Sequence, residues 1–219
     1  MIQIDTLLQP IDDAHPSGHD LRLEPGDLTF ERLRELRTAV DPALDESGEG
    51  REPDWRSAIE LCEQVLREQS KDLEVVVALA EAVVRSEGLP ELAGVVELLR
   101  RTLESYWDTL HPGYDAEDGA ISLPLRARWL AWLDSAKGFI AAVKQAPLAV
   151  SAAGPARCWR DHEMSETVDD ISLSAERRQE LSEAGYISGA QWKASLAAIP
   201  EAQLQDAASS LARSADELR

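Results

Sequence analysis

The chain has 219 residues, 44% of them hydrophobic, which is enough for one helical domain with a real core and a small second unit. Its 41 acidic against 22 basic residues give a net charge of −19, so the basic footprint that a nucleic-acid binder needs is missing and an anionic membrane surface is disfavoured. Two cysteines, Cys62 and Cys158, make no disulfide framework, and no run approaches the roughly 18 apolar residues of a membrane span.

The start, MIQIDTLLQPIDDAHP, lacks a basic segment followed by an apolar run, so it does not read as a signal peptide. Ile4, Leu7, Leu8 and Ile11 predict a short helix or turn, followed by the turn chemistry of His15-Pro16-Ser17-Gly18-His19-Asp20-Leu21. His15 and His19 with Asp12, Asp13 and Asp20 raise a metal site, but their spacing repeats no helical or turn-defined offset, and no second cluster completes a ligand set. A helix is predicted over 27–40, capped by Asp27, with Phe30, Leu33, Leu36 or Arg37, and Val40 on its stripe. Residues 41–53 are an acidic loop, which reads as a solvated connection before it reads as a docking element.

Asp54 opens the next helix, whose inner face is Trp55, Ala58, Ile59, Cys62, Val65 and Leu66. Ser70 is placed to cap the following one, with Asp72 in its first turn. From Ser70 to Pro112 two helical patterns flank a short break at Gly88 and Pro90, which predicts a central antiparallel αα-hairpin. In the second pattern Leu89, Leu92, Val96, Leu99, Leu103, Tyr106 and Leu110 recur at steps of three and four on one face. His111, beside Asp108 and Tyr106, falls on the last turn of that helix, where a histidine suits the negative helix end better than it suits general-base work.

A long helix is predicted over 121–146, with Leu125, Trp129, Trp132, Leu133, Ala136, Ile140 and Val143 inward and Gly138 as a weak point or a close contact. Residues 151–171 read as a flexible acidic linker; within it Cys158 and His162 form a C-x-x-x-H pair with no second pair to complete a zinc site. Residues 172–219 carry three short helices, one opened by Ser174 and one by the capping box of Ser188 and Gln191, presenting Trp192, Leu196 and Ile199. The last holds a heptad seam of Leu204, Ala208, Leu211, Ala215 and Leu218, expected to pack on the body, pair with another copy or continue into further sequence. Phosphate loops, nucleophile elbows and zinc-protease motifs are absent from the sequence, so no catalytic, cofactor-binding or metal residue is assigned.

Several segments, in order, resemble the N-terminal domain of the ImpA/TssA family of the bacterial type VI secretion system. They are Pro16 to Leu21, Glu52-Pro53-Asp54-Trp55, Ser70-Lys71-Asp72-Leu73 with Gly88, Tyr106-Trp107-Asp108-Thr109-Leu110-His111-Pro112, and Arg126 with Leu130-Ala131-Trp132-Leu133, ending at Pro147-Leu148. His19, Glu74, Glu91 and Val95 depart from the family pattern. The resemblance covers roughly residues 5–150. It implies an all-α, irregular multi-helix bundle over 1–150, followed by the linker and the small helical segment 172–219. It also implies a non-enzymatic, cytoplasmic assembly component that contacts baseplate, sheath or tube proteins, self-associates in the full-length protein, and uses no cofactor, nucleic acid or membrane insertion. The family's C-terminal region, which is variable and drives ring-like oligomerisation, is not recognised here, so the chain is expected to be a fragment or a short relative.

Overall fold

The helical periods of the sequence become eleven α-helices and two 3-10 turns in the computed structural model, which describes residues 2–43, 49–113, 123–149, 157–170 and 172–218. No strand occurs among the described residues; three isolated bridges, such as Val40 to Arg51, tie loops together. The acidic segment 44–48 and residues 114–122 lie outside the described residues.

α1 (Ile4–Leu7) and α2 (Thr29–Arg37) flank a 3-10 turn at Leu21–Leu23. α3 (Trp55–Glu68) starts where Asp54 accepts the Ser57 N–H, and it buries Ala58, Cys62, Val65 and Leu66 as its periodicity predicts. α4 (Leu73–Glu87) is apolar nearly all round, and such a helix must be enclosed. Every residue from Val75 to Val84 is buried, including Glu81, which is paired with Arg37 and Arg85. Asp72, not Ser70, caps α4, accepting the Glu74 N–H, while the Ser70 hydroxyl donates to the His19 carbonyl. α4 meets α5 (Leu92–Tyr106) across Gly88 and the 3-10 turn Leu89–Glu91, but its most extensive contact is with α3. The core is therefore centred on one enclosed helix more than on a pair. Gly88 has φ +86°, and a Cβ there would come 2.5 Å from the Pro147 carbonyl oxygen.

The predicted long helix is two: α6 (Leu123–Leu133) and α7 (Phe139–Gln145), broken at Gly138. A Cβ at Gly138 would sit 2.4 Å from the Trp132 carbonyl oxygen, so the joint closes more tightly than a continuous helix with a side chain there permits. Leu125, Ala136 and Ile140, expected inward, are exposed, while Phe139 and Ala142 enter the core beyond the break. The expected linker contains α8 (Trp159–Val168), begun at Cys158, whose N–H bonds the Asp161 carboxylate; the acid that suggested a solvated linker serves as a capping group. α9 (Ala175–Glu183), α10 (Gly189–Ala197) and α11 (Glu201–Glu217) follow, with the Ser174 cap and the Ser188–Gln191 capping box as expected.

α11 lies on α5 and the 3-10 turn before it. Its buried stripe is Ala207, Ser210 and Ser214, one position away from the predicted heptad seam, which faces outward with Leu211 42% and Leu218 73% exposed. Small residues admit a close approach, and Ser210 Oγ accepts the Ala93 N–H, an orphan donor in the first turn of α5.

Candidate functional site

Four of the motif segments, those holding Ser17, Lys71, His111 and Arg126, are remote in sequence and meet in one junction. Lys71 N–H donates to the Ser17 carbonyl at 2.8 Å, and the Ser17 and Thr109 hydroxyls bond each other at 2.6 Å. His111 N–H donates to the Lys71 carbonyl and the Leu73 N–H to the His111 carbonyl, lacing the loop after α5 to the start of α4. Gly18 lies so close to Gln69 that a Cβ would fall 2.0 Å from its carbonyl oxygen, and its φ of +66° also favours glycine. The His111–Pro112 peptide bond is cis.

Three charged side chains fasten this junction. Lys71 is 1% exposed, and its Nζ donates to the carbonyls of Leu7, at 2.7 Å, and Leu66. The Leu66 carbonyl belongs to the last turn of α3, where no intrahelical donor remains. Burial pulls the Lys71 pKa from 10.5 to about 8. Arg126 is equally buried and donates to the carbonyls of Pro112, Trp107 and Leu110, closing the end of α5 with a guanidinium that stacks 4.9 Å from the Trp107 ring. Arg22 bridges Asp72, Asp20 and Glu74. Burial pushes the Asp72 carboxyl up, and the Arg22 guanidinium brings it part of the way back. For Arg22 burial acts downward, but the bonds and charge of Asp72 and Glu74 outweigh it and raise its pKa.

The histidines singled out in sequence do converge. His15, His19 and His111 line one cavity of about 430 Å³ with Ser17, Asp20 and Thr109. His111 is not on the last turn of α5, which ends at Tyr106; it sits in the loop beyond, with Nε2 3.1 Å from the Gly18 carbonyl and Nδ1 buried 3.8 Å from Asp20. The His15 and His19 rings stack at 6.0 Å. An enzymatic reading would have to start in this cavity, yet its serine and threonine hydroxyls are engaged with each other, and Ser17 is buried. Among the described residues no group of three or more His, Cys, Asp or Glu is placed to hold a metal ion. Cys158 and His162 stay a pair; His162 lies edge-on to Trp159 and flat against Trp192 at 5.7 Å, so its ring is a packing element between α8 and α10.

A second feature was not legible in sequence. α2, α4 and α6 enclose a cleft of about 440 Å³ whose walls include Phe30, Trp129 and Trp132 and whose charged residues include Arg34, Arg37, Arg128 and Lys137. The two tryptophans, expected inward, are half-buried. In a chain with nearly twice as many acids as bases these four cations form no visible run, and only the packing of α2 on α3 and of α6 on α4 brings them to one cleft.

Taken together, the structure is an all-α bundle whose motif polar groups hold its own loops and helix ends. A family model described as ImpA, N-terminal, type VI secretion system, matches residues 8–135, and the chain belongs to that family. It is 32% identical over 124 residues to the type VI secretion system component TssA1 of Pseudomonas aeruginosa, a match covering 54% of this chain. The same match covers 34% of that protein, so the chain spans about a third of the curated relative's length. A solved structure of the N-terminal domain, including the conserved ImpA_N region, of the TssA component from Burkholderia cenocepacia is similar with a TM-score of 0.73 and 26% identity. That similarity covers 100% of this chain and 82% of the other. Among the described residues no helix is long and apolar enough to cross a membrane.

Proposed function

We propose that this chain is the N-terminal assembly module of a type VI secretion TssA protein, working in the cytoplasm by protein–protein contact and not by catalysis. Its partners in this reading are baseplate, sheath or tube components, with self-association supplied in the full-length protein. Residues 1–150 serve as the family module and 172–219 as a helical extension of it. The observation that carries the reading is the use made of the motif residues. Lys71, Arg126, Asp72 and Ser17, the groups a catalytic site would need free, spend their polar atoms on main-chain carbonyls, a helix cap, Arg22 and Thr109. Such residues preserve a shape, and a preserved shape without committed reactive groups suits a scaffold.

The test is capture from a lysate containing an intact secretion system, blotted for baseplate, sheath and tube proteins, with the whole chain and with residues 1–150 as baits. Retention of any of these by both baits is the expected result. Retention by neither, across low and moderate salt, would sink the direct-contact reading.

A further inference from the structure

The cleft between α2, α4 and α6 is where this acidic chain gathers positive charge. Its two acids are already satisfied: Glu81 by Arg37 and Arg85, and Glu74 by Arg22. On the rim, Arg34, Arg128 and Lys137 are exposed and make no ion pair among the described residues. Between floor and rim stand the aromatic rings. The Arg128 guanidinium lies 5.2 Å from the centre of the Trp129 ring, Arg37 5.8 Å from that of Trp132, and Arg22 4.2 Å from that of Phe30. The Arg37 and Arg22 donors are engaged with Glu81 and with Asp72 and Glu74, whereas Arg128, laid on its ring, loses little freedom on binding and keeps its in-plane donors available for carboxylates.

We propose that this cleft docks an acidic peptide segment of a partner protein, one that also carries an apolar anchor side chain. This rests on the contact-based reading above and gives it a docking face. The anchor would lie against Trp129, Trp132 and Phe30, and the flanking carboxylates would meet Arg34, Arg128 and Lys137. The cleft volume suits one or two side chains and not a folded element. Nucleic acid fits less well. The groove continues past Phe30 to Glu24, Asp27 and Glu31, and these carboxylates oppose any anion long enough to leave the positive stretch. A short acidic segment uses that stretch alone. It also explains why three cations stand here without an ion pair on a surface where acids predominate: a direct internal partner would have occupied the donors that recognise the external one.

Fluorescence polarisation with the whole chain tests this. The probes are a labelled peptide of about twelve residues rich in Glu with two central Leu, the same peptide with Lys for Glu, the Glu peptide with Ser for Leu, and a single-stranded oligonucleotide of matching charge. The protein is compared with the Arg34→Glu, Arg128→Glu double variant, whose fold is checked by circular dichroism; neither side chain makes an ion pair that the fold would lose. A Lys193→Glu, Arg213→Glu double variant, altered on α10 and α11 with the same change of net charge, is the control. The Glu/Leu peptide is expected to bind best, about tenfold more weakly to the double variant and unchanged to the control. The Lys peptide is expected not to bind the wild type and to gain affinity for the double variant. Equal binding of the Glu/Leu peptide to both proteins, no binding of it to either, or stronger binding of the oligonucleotide to the wild type would each overturn the proposal. The double variant used as bait in the lysate capture separates the two readings. If it still retains secretion components, the cleft is wrong and the scaffold reading stands; if the wild type retains none, the scaffold reading fails whatever the peptides do.

Discussion

Lys71 sits in a family motif, yet its pattern in the sequence says nothing of its task. Lysine at the start of a helix is ordinarily solvated, and only the fold shows Nζ enclosed between Leu7 and Leu66. A neutral amine has two N–H donors and one lone pair, and two donors are what these carbonyls require. With the folded pKa near 8 and the ordinary value 10.5, the unfolded chain holds a proton that the folded chain has released between those limits. Stability therefore rises with pH across that window and reaches its full value above it. Urea melts of wild type and Lys71→Met, below and at the top of the window, are expected to diverge by about 3 kcal/mol in favour of wild type as pH rises. Parallel profiles would show that burial does not perturb this amine. Arg126 makes the complementary point: its place in a helix is visible in sequence, whereas its three carbonyl acceptors come from a loop that the packing brings to it.

Helix starts are legible in sequence where a cap is local. Asp54, Ser174 and Ser188 bond N–H groups within three residues, so the signal lies in a short window. Where two stripes compete on one helix, hydrophobicity chose wrongly. α11 offers a leucine seam and, one position back, a stripe of small residues, and the second packs because it permits a closer approach and lets Ser210 satisfy the Ala93 N–H. The Arg100–Glu217 ion pair closes the far end of the same face. Ser210→Leu is expected to cost about 1–3 kcal/mol by overpacking and by removing that acceptor. Leu211→Ala, at 42% exposure, is expected to change stability by no more than about 0.5 kcal/mol. Thermal or urea melts of both variants decide the register; the reverse order of effects would restore the heptad seam as the buried face.

At the scale of the molecule, the net charge of −19 acts on everything at once. Like charges repel more strongly when the chain is compact, and salt screens that repulsion over about 10 Å at ordinary ionic strength. The melting temperature is accordingly expected to rise from low to moderate sodium chloride, even though Arg100–Glu104 and similar exposed pairs weaken slightly. A fall in melting temperature over that range would mean that the ion-pair network outweighs the self-repulsion. The same imbalance gives the basic cleft its meaning, because a positive site on an acidic molecule is a local exception maintained by the packing of α2 on α3 and of α6 on α4.

The helical class, the N-terminal caps of α3, α9 and α10 and the family resemblance were all present in the linear chain, because each depends on residues a few positions apart or on short motifs in a set order. Three outcomes were decided by tertiary packing: the register of α11, the convergence of Ser17, Lys71, His111 and Arg126, and the cleft. In each, two surfaces remote in sequence compete for one volume. Close approach, the satisfaction of buried carbonyls and N–H groups, and the placing of like charges are settled by how those surfaces fit, and no local window of the sequence contains both of them.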